Sequence, residues 1–192
     1  MTVHDLVIEN ASFLVTCNST NDVLQNYSIG ITGCEISAIA PQGELVGKKS
    51  YDASSKLITP GLINTHTHLA MTLLRGWAEG VDLQGFLERV WAAEGAIMDG
   101  PTAQLGTELG ALESLLGGTT TTLDMYLFPD AAHRGAVRAG LRHVSGPIFF
   151  DFPGLDGMEW GDRISFARHW PETLKERSEE HTSELQSRFG IS

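Results

Sequence analysis

The chain has 192 residues, of which 42% are hydrophobic and 19% charged, and its formal net charge is −11. That length is enough for one ordinary domain with a sizeable core. The acidic balance argues against a nucleic-acid or anionic-membrane partner, since either needs a basic patch, and no apolar run is long enough to span a bilayer.

The start, Met1-Thr2-Val3-His4-Asp5, lacks the basic region and apolar core of a secretory signal. Cys17 and Cys34 show no metal-type spacing. Both are therefore expected as free thiols in a reducing, cytoplasmic setting, with the sequons at Asn10, Asn18 and Asn26 unused.

Leu6–Ile39 reads as short strands. Leu6-Val7-Ile8 and Phe13-Leu14-Val15 are apolar clusters, and Tyr27–Ile31 and Ile36–Ile39 flank Thr32-Gly33-Cys34-Glu35, a hairpin turn with Gly33 at positive φ. Residues 43–51 are polar and read as loop. Residues 1–56 carry no catalytic constellation and form a lead-in portion.

Leu57–Leu69 is the informative stretch. It reads as a buried strand over Leu57–Ile63 that runs to two histidines, His66 and His68. Alternate side chains of a strand share a face, so a His-x-His pair presents both imidazoles in one direction, as a first-row metal site requires. Helical spacing follows. Asp82 can cap a helix with apolar positions Leu83, Phe86, Leu87, Val90 and Trp91, and a second helix after Pro101 places Leu105, Leu109, Leu112, Leu115 and Leu116 on one side until Gly117-Gly118 stops it. Thr119–Met125 reads as a second strand, Pro129–Ala139 as a helix, Leu141–Phe150 as a third strand and Asp162–Glu176 as a further helix. Such alternation implies parallel strands with crossover helices.

Pro60–Gly76, Gly118–Tyr126, Phe128-Pro129-Asp130 and Asp151-Phe152-Pro153 together resemble the amidohydrolase superfamily, over most of Leu6–Glu176. The similarity is greatest to the aminohydrolase branch that holds the methylthioadenosine/S-adenosylhomocysteine deaminases. Chlorohydrolases and cytosine or guanine deaminases are neighbouring alternatives. Dihydroorotases and hydantoinases typically have an aspartate where Asn64 stands.

The resemblance implies an α/β fold: part of a metal-dependent (β/α)8 TIM barrel, about its first three βα units over residues 57–176, after part of a small β-sandwich. It implies one divalent metal ion, zinc or iron, held in part by His66 and His68. It implies a nucleoside-like small-molecule substrate undergoing hydrolytic deamination, and a complete enzyme that can be a homo-oligomer. Glu94 matches the glutamate that binds ribose hydroxyls, although a solvated helix glutamate is an equal alternative from sequence alone. Phe86 stands where the family usually has a substrate-contacting tryptophan. Arg75 and Asp124 are expected to hold loop and strand ends.

His133 and His169 are expected on helices in solvent-facing or capping roles, and His143 at the start of the third strand, away from the site. The expected catalytic residues have no counterpart here, so the chain is expected to be an inactive N-terminal fragment with poor solubility. Residues 177–192 resemble the in-frame translation of a sequencing adapter and are expected to be foreign to the fold.

Overall fold

The computed structural model describes residues 2–150 and 154–173. The expectations for Asp151-Phe152-Pro153 and for residues 177–192 lie outside the described residues. Two compact units divide between Pro60 and Gly61.

The first unit is all β. Strands β1 (Val3–Glu9), β2 (Phe13–Val15), β3 (Val23–Leu24), β4 (Tyr27–Thr32), β5 (Glu35–Pro41), β6 (Val46–Asp52) and β7 (Leu57–Ile58) form two sheets, ordered β5-β4-β1-β6 and β3-β2-β7. The β4–β5 hairpin turns at Gly33, whose φ of 60° supplies the left-handed backbone that a glycine adopts without a Cβ clash. The expected loop over residues 43–51 is corrected: β6 pairs in parallel with β1 from Val3↔Val46 to Glu9↔Asp52. Its side chains are almost all exposed, so it shows no apolar period, and its backbone is fixed by a ladder to a residue more than 40 positions away.

The single expected strand over Leu57–Ile63 is likewise two elements. Leu57 and Ile58 pair with Phe13 and Leu14 in the first unit, and β8 (Leu62–Thr67) belongs to the second. Thr59-Pro60-Gly61 separates them, since proline has no N–H to continue a ladder.

In the second unit β8, β9 (Thr119–Met125) and β10 (Arg142–Gly146) pair in parallel, in the order β10-β9-β8. A 3-10 segment (Leu69–Leu74) and helices α1 (Leu83–Ile97) and α2 (Gly100–Leu116) join β8 to β9, and α3 (Pro129–Ala139) joins β9 to β10. A last helix covers residues 160–173. Asp82 and Asp99 cap α1 and α2 by accepting from the backbone N–H groups of Gly85 and Thr102. No helix among the described residues is long and apolar enough to cross a membrane.

The leucine side of α2 is not its buried side. Ala103, Gly106, Thr107, Gly110 and Ala111 are buried, whereas Leu105, Leu109, Leu112 and Leu116 are exposed. A Cβ on Gly106 would lie 2.6 Å from the Ala70 carbonyl oxygen, and one on Gly110 2.7 Å from that of Leu69. The helix thus approaches the backbone of the 3-10 segment so closely that only small residues fit between them. The core gathers around Ala70, Met98, Ala103, Tyr126 and Leu127, with a second cluster at Leu69, Ala111, Ala136 and Leu141.

The expected solvent-facing role of His133 is corrected, whereas His143 does stand at the start of the third strand. His133 on α3 and His143 at the start of β10 are both buried, with their Nδ1 atoms 3.2 Å apart, and His143 Nε2 lies 3.1 Å from Asp124 Oδ2. Asp124 does hold a strand end, as expected. Arg75 pairs with Glu113 at the surface at 2.5 Å.

Candidate metal and substrate site

β8 brings His66 and His68 together by its alternation. Asn64 Oδ1 accepts from the His66 backbone N–H at 3.1 Å, and the pairing with β9 shifts register between Asn64 and Thr67. The strand end is therefore locally bent by a side chain that takes over one backbone hydrogen bond. The two imidazoles lie with ring centroids 5.2 Å apart in an edge arrangement. His66 is exposed and His68 half-buried.

His68 Nδ1 lies 2.6 Å from the Met125 carbonyl oxygen, an acceptor only, so Nδ1 donates there and Nε2 is the nitrogen left for another partner. A histidine that ligates a metal through one nitrogen is commonly oriented in this way through the other. Among the described residues no group of three or more His, Cys, Asp or Glu side chains could hold a metal ion, so the pair stands without further protein ligands there.

His68 also lines a cavity of about 350 Å³, at the small end of the range for small-molecule sites. One face of α1 forms a wall through Phe86, Leu87, Val90, Trp91 and Glu94, residues spaced one and three apart as a helical face requires. Met125, Tyr126 and Leu127 close it from the end of β9. The backbone then turns sharply at Phe128, whose φ of 52° is a left-handed conformation strained for a bulky residue, and α3 begins at Pro129.

Glu94 is not a solvated helix residue: it is 5% exposed, on the same side of α1 as the buried Val90. Its Oε1 accepts from the Tyr126 hydroxyl at 2.5 Å. Burial raises its pKa above the usual glutamate range, opposed by the Tyr126 hydrogen bond and by the nearby His68. Phe86 contributes an apolar edge to the cavity. His66, the partner histidine, is absent from the lining.

Sequence reasoning overlooked Tyr126. The available signal was the alternation of Thr122, Asp124 and Tyr126, three polar-bearing side chains two apart that are all buried.

Parallel strands with covering helices, and a histidine pair at a strand end beside a half-open cavity, place this unit in the α/β class with its candidate site at the strand ends. The amidohydrolase family model matches residues 57–189, and the chain belongs to that family. It is 40% identical over 144 residues to 5-methylthioadenosine/S-adenosylhomocysteine deaminase 2 of Archaeoglobus fulgidus, covering 75% of this chain and 33% of that protein. It is 33% identical over 175 residues to the 5-methylthioadenosine/S-adenosylhomocysteine deaminase of Thermodesulfovibrio yellowstonii, covering 88% and 40%.

Among solved structures, an adenosine deaminase from Xanthomonas campestris with bound zinc aligns with a TM-score of 0.79 and 28% identity, over 85% of this chain and 38% of that one. A mutant atrazine chlorohydrolase from Arthrobacter aurescens, complexed with zinc and atraton, aligns with a TM-score of 0.66 and 26% identity, over 73% and 35%. The chain spans between a third and two fifths of the length of these curated relatives.

Proposed function

We propose that this chain carries the first metal-binding strand and part of the substrate pocket of a metal-dependent hydrolase that deaminates an adenosine-type nucleoside, of the methylthioadenosine or S-adenosylhomocysteine class. The observation that carries the reading is the meeting, in one cavity, of an imidazole with its Nδ1 committed to a carbonyl and a buried carboxyl group on the facing helix. On this reading β8, β9 and β10 are the first three strands of a (β/α)8 barrel, residues 57–176 its N-terminal part, and residues 1–56 a portion of a small β-sandwich.

The donor set suits a divalent metal. Two imidazoles on one tetrahedral zinc, with Zn–N of about 2.0–2.1 Å, place their ring centroids roughly 5 Å apart. The His66–His68 separation of 5.2 Å agrees. Zinc, when bound, lowers the pKa of its water to about 7 and so makes a nucleophile at neutral pH; the zinc-bearing neighbours favour it over iron.

The chain's own residues do the rest of what can be assigned. His66 and His68 offer nitrogen ligands, and the Met125 carbonyl fixes the His68 tautomer. Glu94 accepts sugar hydroxyls, and Phe86, Leu87 and Val90 exclude water beside an apolar base or thioether. With two ligands among the described residues, short of the three or four of a working centre, turnover needs further ligands and a proton carrier from elsewhere.

Zinc titration followed by calorimetry tests the metal reading. The chain is expected to bind zinc weakly, and His66→Ala or His68→Ala to abolish that binding. Zinc affinity unaltered in the double variant would overturn it. Assays of adenosine, methylthioadenosine and S-adenosylhomocysteine with the zinc-supplemented chain are expected to release no ammonia.

A further inference from the structure

Tyr126 has no part in the roles assigned so far. It follows β9 directly, next to Met125, whose carbonyl oxygen accepts from His68 Nδ1. The side chain is buried, its ring centroid is 6.4 Å from that of His68, and its hydroxyl donates to Glu94 Oε1 at 2.5 Å. All three side chains line the same cavity.

A glutamate's terminal torsion is broad, so an unrestrained carboxyl group samples many orientations. A donor anchored to the strand end removes that freedom. It occupies Oε1 and leaves Oε2 as the oxygen that Tyr126 does not engage. Burial and the adjacent Glu94 push the phenol well above its ordinary range, so it remains a hydroxyl donor at neutral pH. The consecutive residues Met125 and Tyr126 thus set the orientation of one imidazole and one carboxyl group from a single piece of backbone.

We propose that Tyr126 is a positioning residue for ligand selection: it orients Glu94 so that Oε2 faces the vicinal hydroxyls of a ribonucleoside in the cavity shared with His68. This inference rests on reading the cavity as a nucleoside site. It adds that selection for the sugar hydroxyls depends on a group that need not touch the ligand. Tyr126→Phe removes one oxygen atom and retains the ring that packs in the core, so the effect on selection separates from the effect on folding.

The test compares binding of adenosine and 2′,3′-dideoxyadenosine to the 192-residue chain by equilibrium dialysis, in the unaltered protein, Tyr126→Phe, Glu94→Gln and the double variant, with thermal melts confirming that each folds. The unaltered chain is expected to prefer adenosine, and Tyr126→Phe to reduce that preference roughly ten-fold, the weight of a hydrogen bond to a charged group, with dideoxyadenosine affinity unchanged. Glu94→Gln is expected to lose the preference, and adding Tyr126→Phe to it to change nothing more, whereas independent structural effects would add. Full retention of the preference in Tyr126→Phe would overturn the positioning role and leave the nucleoside site standing. Equal binding of both nucleosides by the unaltered chain would overturn the nucleoside site itself, and the role of Tyr126 with it.

Discussion

Removing the Asp124 carboxylate should destabilise the second unit through a buried chain of polar groups. The Asp124 and His143 side chains are 1% and 0% exposed, so neither can turn to solvent when its partner is lost. With Asp124 ionised, His143 donates from Nε2 to Oδ2, and His143 Nδ1 then serves as acceptor for His133 Nδ1. Asp124→Ala leaves the Nε2 proton unpaired in the interior and opens a small void. An unsatisfied buried group costs about 1–3 kcal/mol, and a hydrogen bond to a charged acceptor lies at the upper end of that range. A loss near 3 kcal/mol is expected, which is roughly 6–12 °C in melting temperature for a domain of this size.

Urea unfolding read by tryptophan fluorescence reports on this unit, because Trp77, Trp91, Trp160 and Trp170 all lie beyond Gly61. The decisive comparison is a double-mutant cycle with His143→Ala. If the two groups act as a pair, the double variant loses at least about 1 kcal/mol less than the sum of the single losses. Additivity within about 0.5 kcal/mol would refute the coupling, and a single-variant loss below that size would refute the claim that the pair matters to stability at all.

Three further outcomes follow from the same geometry. Arg163, 2% exposed on its side chain, donates to both Asp156 oxygens at 2.6 and 3.1 Å and to the Ile148 carbonyl at 3.0 Å, so Arg163→Lys, which lacks the planar fork, should expose residues 154–173 to limited proteolysis; unchanged cleavage rates would contradict this. Gly110→Leu forces a side chain against the Leu69 carbonyl and the Thr72 hydroxyl and should cost about 1–3 kcal/mol, while Leu112→Glu on the exposed side should stay within about 0.5 kcal/mol; a reversed order of the two in urea midpoint would invert the assigned faces of α2.

Glu94 has its carboxyl pKa raised by burial, so its stabilising contribution is fully present below the unfolded value and is lost as pH rises through the folded one. Glu94→Gln, which mimics the protonated form, should therefore gain stability relative to the unaltered chain between pH 4 and pH 7, and a pH-independent difference would count against that sign.

Local backbone chemistry was legible in the residues themselves. The period of two places His66 and His68 on one side of a strand end, Asp82 caps α1, Gly33 turns the β4–β5 hairpin, and Gly117-Gly118 ends α2. Each depends on neighbours a few positions away, and spacing records such neighbours faithfully.

The tertiary structure decided which face each element buries. Leucines on α2 advertise a core face, yet the helix lies so near the Leu69 and Ala70 carbonyls that its glycines and alanines take the inside. Leu57 and Ile58 read as one strand with Ile63 until Phe13 and Leu14, far back in the chain, pair with them instead. The polar β6 is a strand only because β1 offers it a ladder. His133 reads as a solvent-facing helix residue and Glu94 equally as a solvated or a substrate-binding one, and their burial is set with partners 10 and 32 positions distant: a hydrogen bond between side chains leaves no mark on the spacing of either one.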